Sequence, residues 1–238
     1  DVEAGEERLQ GAAGMNRHVW NLRHADMLEV PGLYIWGSTA GRRAVPGRYT
    51  VRLVAGEQER TAPLEVRVDP RVDTPVAEFV AQDRVLQSIA GELNAMHGGV
   101  NQLTDVRDQV DAVLARAGDM EETASVERVQ ELGAALRDSL TLVEDSLVQR
   151  ETYDGQTVLN APSRLNLQYV YLHGAVDGAD DGPSPMAEQV LRDLNARWYP
   201  QRDRLEFLLD EKIDEFNRAV EEAGIAPVGK PERPRIVS

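Results

Sequence analysis

Cysteine is absent from the 238 residues, which removes disulfides, thiolate metal ligands and cysteine nucleophiles together and leaves the redox compartment unreadable. No apolar run approaches the ~20 residues that a membrane-crossing helix needs, so a membrane-spanning role is excluded at this level. Basic charge is also in short supply, with 26 Lys and Arg against 41 Asp and Glu and a formal net charge of -15. A nucleic-acid backbone is bound by clustered cations that displace its counterions, and this balance argues against it. Lysine itself occurs only at Lys212 and Lys230. What remains is ordinary for a globular chain, 42% hydrophobic and 28% charged residues, with enough length for one large domain or two small ones.

The acidity is unevenly placed. Residues 1–72 hold ten acids and ten arginines, and the remainder hold 31 acids against 16 bases, so the whole excess lies beyond residue 72. That break, followed by a proline-rich end, predicts three parts: a β module over 1–72, an acidic helical bundle over 73–225 and an extended tail over 226–238. The chain opens at Asp1 without an initiator Met or a secretion signal, which reads as a processed form or an excised piece.

In the neutral part Tyr49, Val51 and Leu53 alternate with Thr50, Arg52 and Val54, and Leu64, Val66 and Val68 alternate with Glu65 and Arg67. Ala55-Gly56-Glu57 between them is turn material, and Pro63 marks an edge because it lacks a ladder N–H. This is a hairpin. Pro46-Gly47 suits the centre of a type II turn. Trp20 and Leu22 share one face of Asn16–Arg23, a third strand, and Leu33-Tyr34-Ile35-Trp36 is either a fourth strand or a loop. The expectation is an incomplete immunoglobulin- or fibronectin-like sandwich, short of the roughly seven strands of that fold.

Beyond Thr74 the period changes to three and four. Leu86, Ile89, Leu93, Met96, Val100, Leu103, Val110 and Leu114 predict one long helix to about Ala117, with Gly98-Gly99 as a place to bend and Gly118 as its end. Asp119-Met120-Glu121-Glu122 has capping-box spacing before a second helix carrying Val129, Leu132, Leu136, Leu140, Val143 and Leu147. Tyr153-Asp154-Gly155 breaks the pattern, and Leu165, Tyr169, Leu172 and Val176 mark a short third helix. Ser184 and Pro185 suit the cap and first turn of a fourth, which runs to Gly224 with a kink expected at Pro200. The helices together read as an antiparallel bundle of three long members and one short one.

Few motifs carry chemistry. Gly224-Ile225-Ala226-Pro227-Val228-Gly229-Lys230 copies most of a phosphate loop, but Pro231 stands where Ser or Thr would bind magnesium and a helix precedes it, so it reads as a helix-terminating glycine and a tail. Asp177, Asp181, Gly182 and Glu188 occupy positions 1, 5, 6 and 12 of a calcium loop, while Ala179 at position 3 and Pro183 and Pro185 argue against one. His18, His24, His97 and His173 lack metal-ligand spacing. Trp20, Tyr34, Trp36 and Tyr49 are the candidate interface or glycan-facing aromatics, with core packing as the competing explanation. No catalytic residue and no cofactor are expected.

The segments Gly14-Met15-Asn16-Arg17-His18-Val19-Trp20-Asn21-Leu22-Arg23, Val45-Pro46-Gly47-Arg48-Tyr49-Thr50-Val51-Arg52-Leu53 and Val68-Asp69-Pro70-Arg71 resemble the C-terminal region of bacterial sortilin-like, BNR-repeat β-propeller proteins, often labelled glycosyl hydrolases. Leu165-Asn166, the Asp177 loop with Pro183, and Phe216-Asn217 add to the likeness. The resemblance implies a secreted or periplasmic parent whose propeller carries any carbohydrate chemistry. This chain would then be its non-catalytic assembly or docking portion, partnered by that propeller, by missing strands or by a second copy of the chain. A carbohydrate-binding module using the strand aromatics, or part of a glycoside hydrolase whose site lies in the propeller, are the alternatives.

Overall fold

The computed structural model describes residues 9, 11–150 and 163–230. The expected break at Tyr153-Asp154-Gly155 and the last eight residues of the tail lie outside them. Strands β1 (Gly47–Ala55) and β2 (Gln58–Val66) pair antiparallel, with Ala55 opposite Gln58 and Gly47 opposite Val66. The loop between them is two residues long, and Gly56 at φ 61° is followed by Glu57 without a positive φ. That is the pattern of a type II′ turn, in which glycine takes the first central position.

Helix α1 (Val76–Gly118) follows from its apolar period, whose Leu86, Ile89, Leu93, Met96, Val100, Leu103 and Val110 are all buried. Its 43 residues span about 65 Å at 1.5 Å per residue. Helix α2 (Ala124–Leu147) returns along it, Gln130 donating to the Leu114 carbonyl at 3.1 Å and Arg107 meeting Glu144. The cap is Thr123, whose hydroxyl accepts from the Val126 N–H at 3.3 Å, rather than the upstream Asp119. Helix α3 (Leu165–Asp177) keeps the direction of α2 and brings the Val176 carbonyl to Gln82 at 2.7 Å.

Helix α4 (Pro185–Phe207) then runs parallel to α1, Trp198 meeting Glu92, and continues through a π-helical turn at Leu208–Lys212 into α5 (Ile213–Glu222). Ser184 caps α4 by accepting from the Ala187 N–H at 3.1 Å, and Pro185 takes its first turn. The helix passes through Pro200, and its departure from α hydrogen bonding comes later, at Leu208–Lys212. Gly224 at φ 74° ends the last turn, with Ile225 N–H on the Val220 carbonyl at 2.9 Å and Gly224 N–H on the Glu221 carbonyl at 3.0 Å. These are the two bonds of a Schellman cap, so the phosphate-loop look-alike is a helix terminus. Gly98-Gly99 stays helical and buried, with Leu205 of α4 packed over Gly99.

The two-part α+β architecture is therefore not what is found. Among the described residues there is neither an immunoglobulin-like sandwich nor the expected bundle of three long helices and one short one, the last long helix being divided by the π-helical turn, and the molecule is mainly helical with one two-stranded hairpin. The third strand fails for a local reason. Residues 22–24 do begin to pair with 42–44, through His24 N–H to the Arg42 carbonyl at 3.0 Å and Ala44 N–H to the Leu22 carbonyl at 2.8 Å. Pro46 is the next residue on that edge and has no N–H to carry the ladder on, and Leu22 at φ 60° turns the chain away. Gly47, expected at the positive-φ site of a type II turn, instead begins β1.

Residues 21–45 form a strap along the helices instead. Met27 and Val30 are buried in the same core cluster as the α1 stripe, with Leu33 and Ile35 packed against it. Asn94 of α1 accepts from the Leu28 N–H at 2.8 Å, and Asn101 donates to the Glu29 carbonyl at 3.0 Å. These contacts bridge the composition break at residue 72.

Candidate functional site

The hairpin is exposed along most of both strands. Side chains alternate along each strand, so Tyr49, Val51 and Leu53 share a face with their partners Leu64, Ala62 and Arg60. Val51 is 51% and Leu53 54% exposed. The opposite face carries Arg48, Thr50, Arg52 and Val54 against Glu65, Pro63, Thr61 and Glu59. Arg52 reaches Glu59 diagonally at 3.6 Å.

Of the four candidate aromatics the structure brings two together. Trp20 meets Tyr49 edge-on, with centroids 5.8 Å apart and planes at 64°. The Trp20 indole donates to the Arg23 carbonyl at 2.8 Å, and the Tyr49 hydroxyl donates to the Val45 carbonyl at 2.6 Å. Burial, then the nearby Asp83 carboxylate, raise the Tyr49 pKa, and Arg42 partly offsets them. Trp20 keeps 38% exposure, so the pair is a half-open corner rather than a core. Trp36 lies in the strap with 54% exposure, and Tyr34, also in the strap, is partly buried, its hydroxyl without a partner among the described residues. Two crossed rings do not make a flat sugar-stacking platform.

The calcium candidates are engaged otherwise. Asp177 accepts from Arg23 at 2.9 Å and from Arg43 at 3.3 Å, while Arg43 also reaches Asp180 at 2.6 Å and the carbonyls of Asp177 and Ala179. Asp181 accepts from the Gly182 N–H at 2.8 Å. Glu188 sits in the first turn of α4, near Arg192 at 3.9 Å. Among the described residues no three His, Cys, Asp or Glu side chains are grouped to hold a metal ion. Nothing in the spacing of these strap arginines marks them in the sequence, since their acids lie 134 and 154 positions away. A cavity of about 180 Å³ lies beneath the hairpin, between Arg43, Val66, Phe79, Gln82 and Asp83. Its charged groups are occupied by ion pairs, Arg42 holding Asp83 at 2.6 Å.

Under the strap two histidines are buried. His97 of α1 donates from Nδ1 to the Leu28 carbonyl at 2.6 Å, and its Nε2 and that of His173 in α3 have no partner among the described residues. Burial lowers the pKa of both, only partly offset by the Leu28 carbonyl for His97 and by Asp177 for His173, where Arg23 adds to the lowering. His24 is lowered by burial and by Arg42, against Asp83. The unfolded chain therefore takes up protons near the ordinary histidine value of 6.5 while the folded chain does not. The contribution to stability is full above pH 6.5 and declines as the pH falls toward the lowered folded values. The urea midpoint is expected to drop between pH 7.5 and 5.5, and the His97→Gln/His173→Gln double variant should flatten that slope. An unchanged slope would show that these rings do not set it.

Comparison with protein-family models, with curated proteins and with solved structures finds no match. No helix among the described residues is long and apolar enough to cross a membrane.

Proposed function

We propose that this chain is the non-catalytic assembly or docking portion of a larger secreted β-propeller protein, and that the hairpin β1–β2 is its contact surface. The observation that carries this is the half exposure of Val51 and Leu53, neighbours on one face of the hairpin, in a sheet that has only two strands among the described residues. A lone two-stranded hairpin is marginal in water, and clustered exposed apolar side chains mark interaction sites. Two of the segments that resemble the sortilin-like proteins, 14–23 and 45–53, fall on this hairpin and its Trp20 flank, which suits a partner made of β-structure from the same parent.

A photo-crosslinking side chain at position 53 of the full gene product tests the reading. Crosslinks to the parent's β-structure are expected, and Leu53→Glu should abolish docking. Because Leu53 is exposed, that change should leave the stability of the chain within about 0.5 kcal/mol. Absence of any crosslink would overturn the proposal. Oligosaccharide binding lost on Trp20→Ala or Trp36→Ala would move it to a carbohydrate-binding module.

A further inference from the structure

The two edges of the hairpin are not equivalent. Ala55 and Gln58 close a two-residue loop, so they form a hydrogen-bonded pair, and pairs alternate from there. Odd residues of β1 turn their N–H and C=O toward β2, while Arg48, Thr50, Arg52 and Val54 turn theirs outward. On β2 the outward set is Glu59, Thr61, Pro63 and Glu65. Pro63 lies opposite Thr50 in this register and has no N–H, so the β2 edge lacks a donor at its centre. The β1 edge offers four complete peptide groups above Pro46. Just below Pro46 the same side of the chain already accepts backbone from residues 22–24, Ala44 N–H meeting the Leu22 carbonyl at 2.8 Å.

Charge separates the edges as well. On the polar face the β1 row carries Arg48 and Arg52, and the β2 row carries Glu65 and Glu59. A strand laid beside β1 therefore adjoins arginines, within a chain whose net charge is -15. A second copy fits poorly. Pairing β1 with β1 sets arginine rows side by side, and pairing β1 with β2 of another copy places Pro63 in the ladder. The chain's own segment 12–20 carries Arg17 and His18 and no acid, so it lacks the charge that suits this edge, although its Trp20 ring packs against Tyr49.

We infer that the outer edge of β1 receives one extended strand from a partner, apolar on the side continuing Tyr49, Val51 and Leu53 and acidic on the side facing Arg48 and Arg52. This names the partner chemistry of the docking site proposed above and rests on that reading. Main-chain bonds supply the attachment and alternate side chains the selectivity, as in other cases of strand addition.

The probe is a capped nine-residue peptide alternating valine and glutamate, with a valine–lysine peptide as control, added at up to millimolar concentration to the full chain. Amide hydrogen exchange by NMR should show the outward amides of Arg48, Thr50, Arg52 and Val54 slowed tenfold or more by the glutamate peptide and unchanged by the lysine one. Thr50→Pro should remove the effect, with continued protection of Val51 and Leu53 reporting an intact hairpin. Arg48→Glu/Arg52→Glu should reverse the preference and keeps the test decisive if Thr50→Pro unfolds the hairpin. Protection at Glu59, Thr61 and Glu65, equal response to both peptides, or no protection would each overturn the inference. If the full gene product still crosslinks through position 53 after Thr50→Pro, docking survives without strand addition. If Leu53→Glu is also without effect, the docking reading falls too.

Discussion

Trp198→Ala is expected to lower the free energy of unfolding by about 3–5 kcal/mol, the range for deleting a large buried aromatic. Trp198 is 0% exposed and stands where α4 crosses α1. Its indole donates to Glu92 Oε2 at 3.0 Å, and Tyr199 donates to Glu92 Oε1 at 3.1 Å. Truncation therefore opens a cavity and removes one of two donors from a carboxylate. The same region is closed enough that burial, with Glu92 and Tyr199 adding to it, raises the pKa of Tyr169. Trp198→Phe separates the two contributions, because it keeps an aromatic ring while losing the hydrogen bond, and about 1–3 kcal/mol is expected. Urea unfolding with unchanged slope is the measurement. A loss below about 1 kcal/mol for alanine would mean that the site collapses around the missing ring.

Arg107→Ala should cost about 3 kcal/mol, toward the lower end for breaking a buried ion pair. Glu144 is 4% exposed, and its two oxygens are held by Arg107 from α1 and by Arg150 just beyond α2. Arg150 also donates to Thr104 Oγ1 at 2.8 Å and to the Pro31 carbonyl at 3.2 Å, joining the strap to both helices. Removing Arg107 leaves the carboxylate desolvated with one cation, which sets the direction and size of the loss. Replacing Arg107 and Glu144 together by methionine should recover part of it, since no desolvated carboxylate is then left, while Arg150, 32% exposed, loses Glu144 but keeps Thr104 and the Pro31 carbonyl. If the double variant is as unstable as Arg107→Ala, packing rather than unpaired charge dominates at this site.

The parts of the fold legible in the sequence are those written in neighbouring residues. The stripe from Leu86 to Val110 marks α1, Ser184-Pro185 opens α4, Gly224 closes the last helix, and the alternation around Tyr49 and Leu64 marks the hairpin. Each depends on a period of two or 3.6 or on a cap within a few positions. Asn16–Arg23 alternates equally well and is not a strand, because pairing also needs an unbroken edge, and Pro46 interrupts the one it would use.

The candidate site divides in the same way. The aromatic set and the odd composition of the Asp177 loop stand out in the sequence, yet spacing does not say that Trp20 meets only Tyr49 or that Asp177 binds arginines. The chain holds 26 basic and 41 acidic residues, and nothing local selects the pair joining Arg23 to Asp177 across 154 positions. Composition and periodicity by themselves determined a cysteine-free, acidic chain with long amphipathic helices and one hairpin, since propensity, capping and face patterning act over one or two turns. Only the tertiary structure decided that residues 21–45 lie on the helices and that, among the described residues, β1 takes no strand partner but β2, because those outcomes depend on which distant surfaces exclude water together.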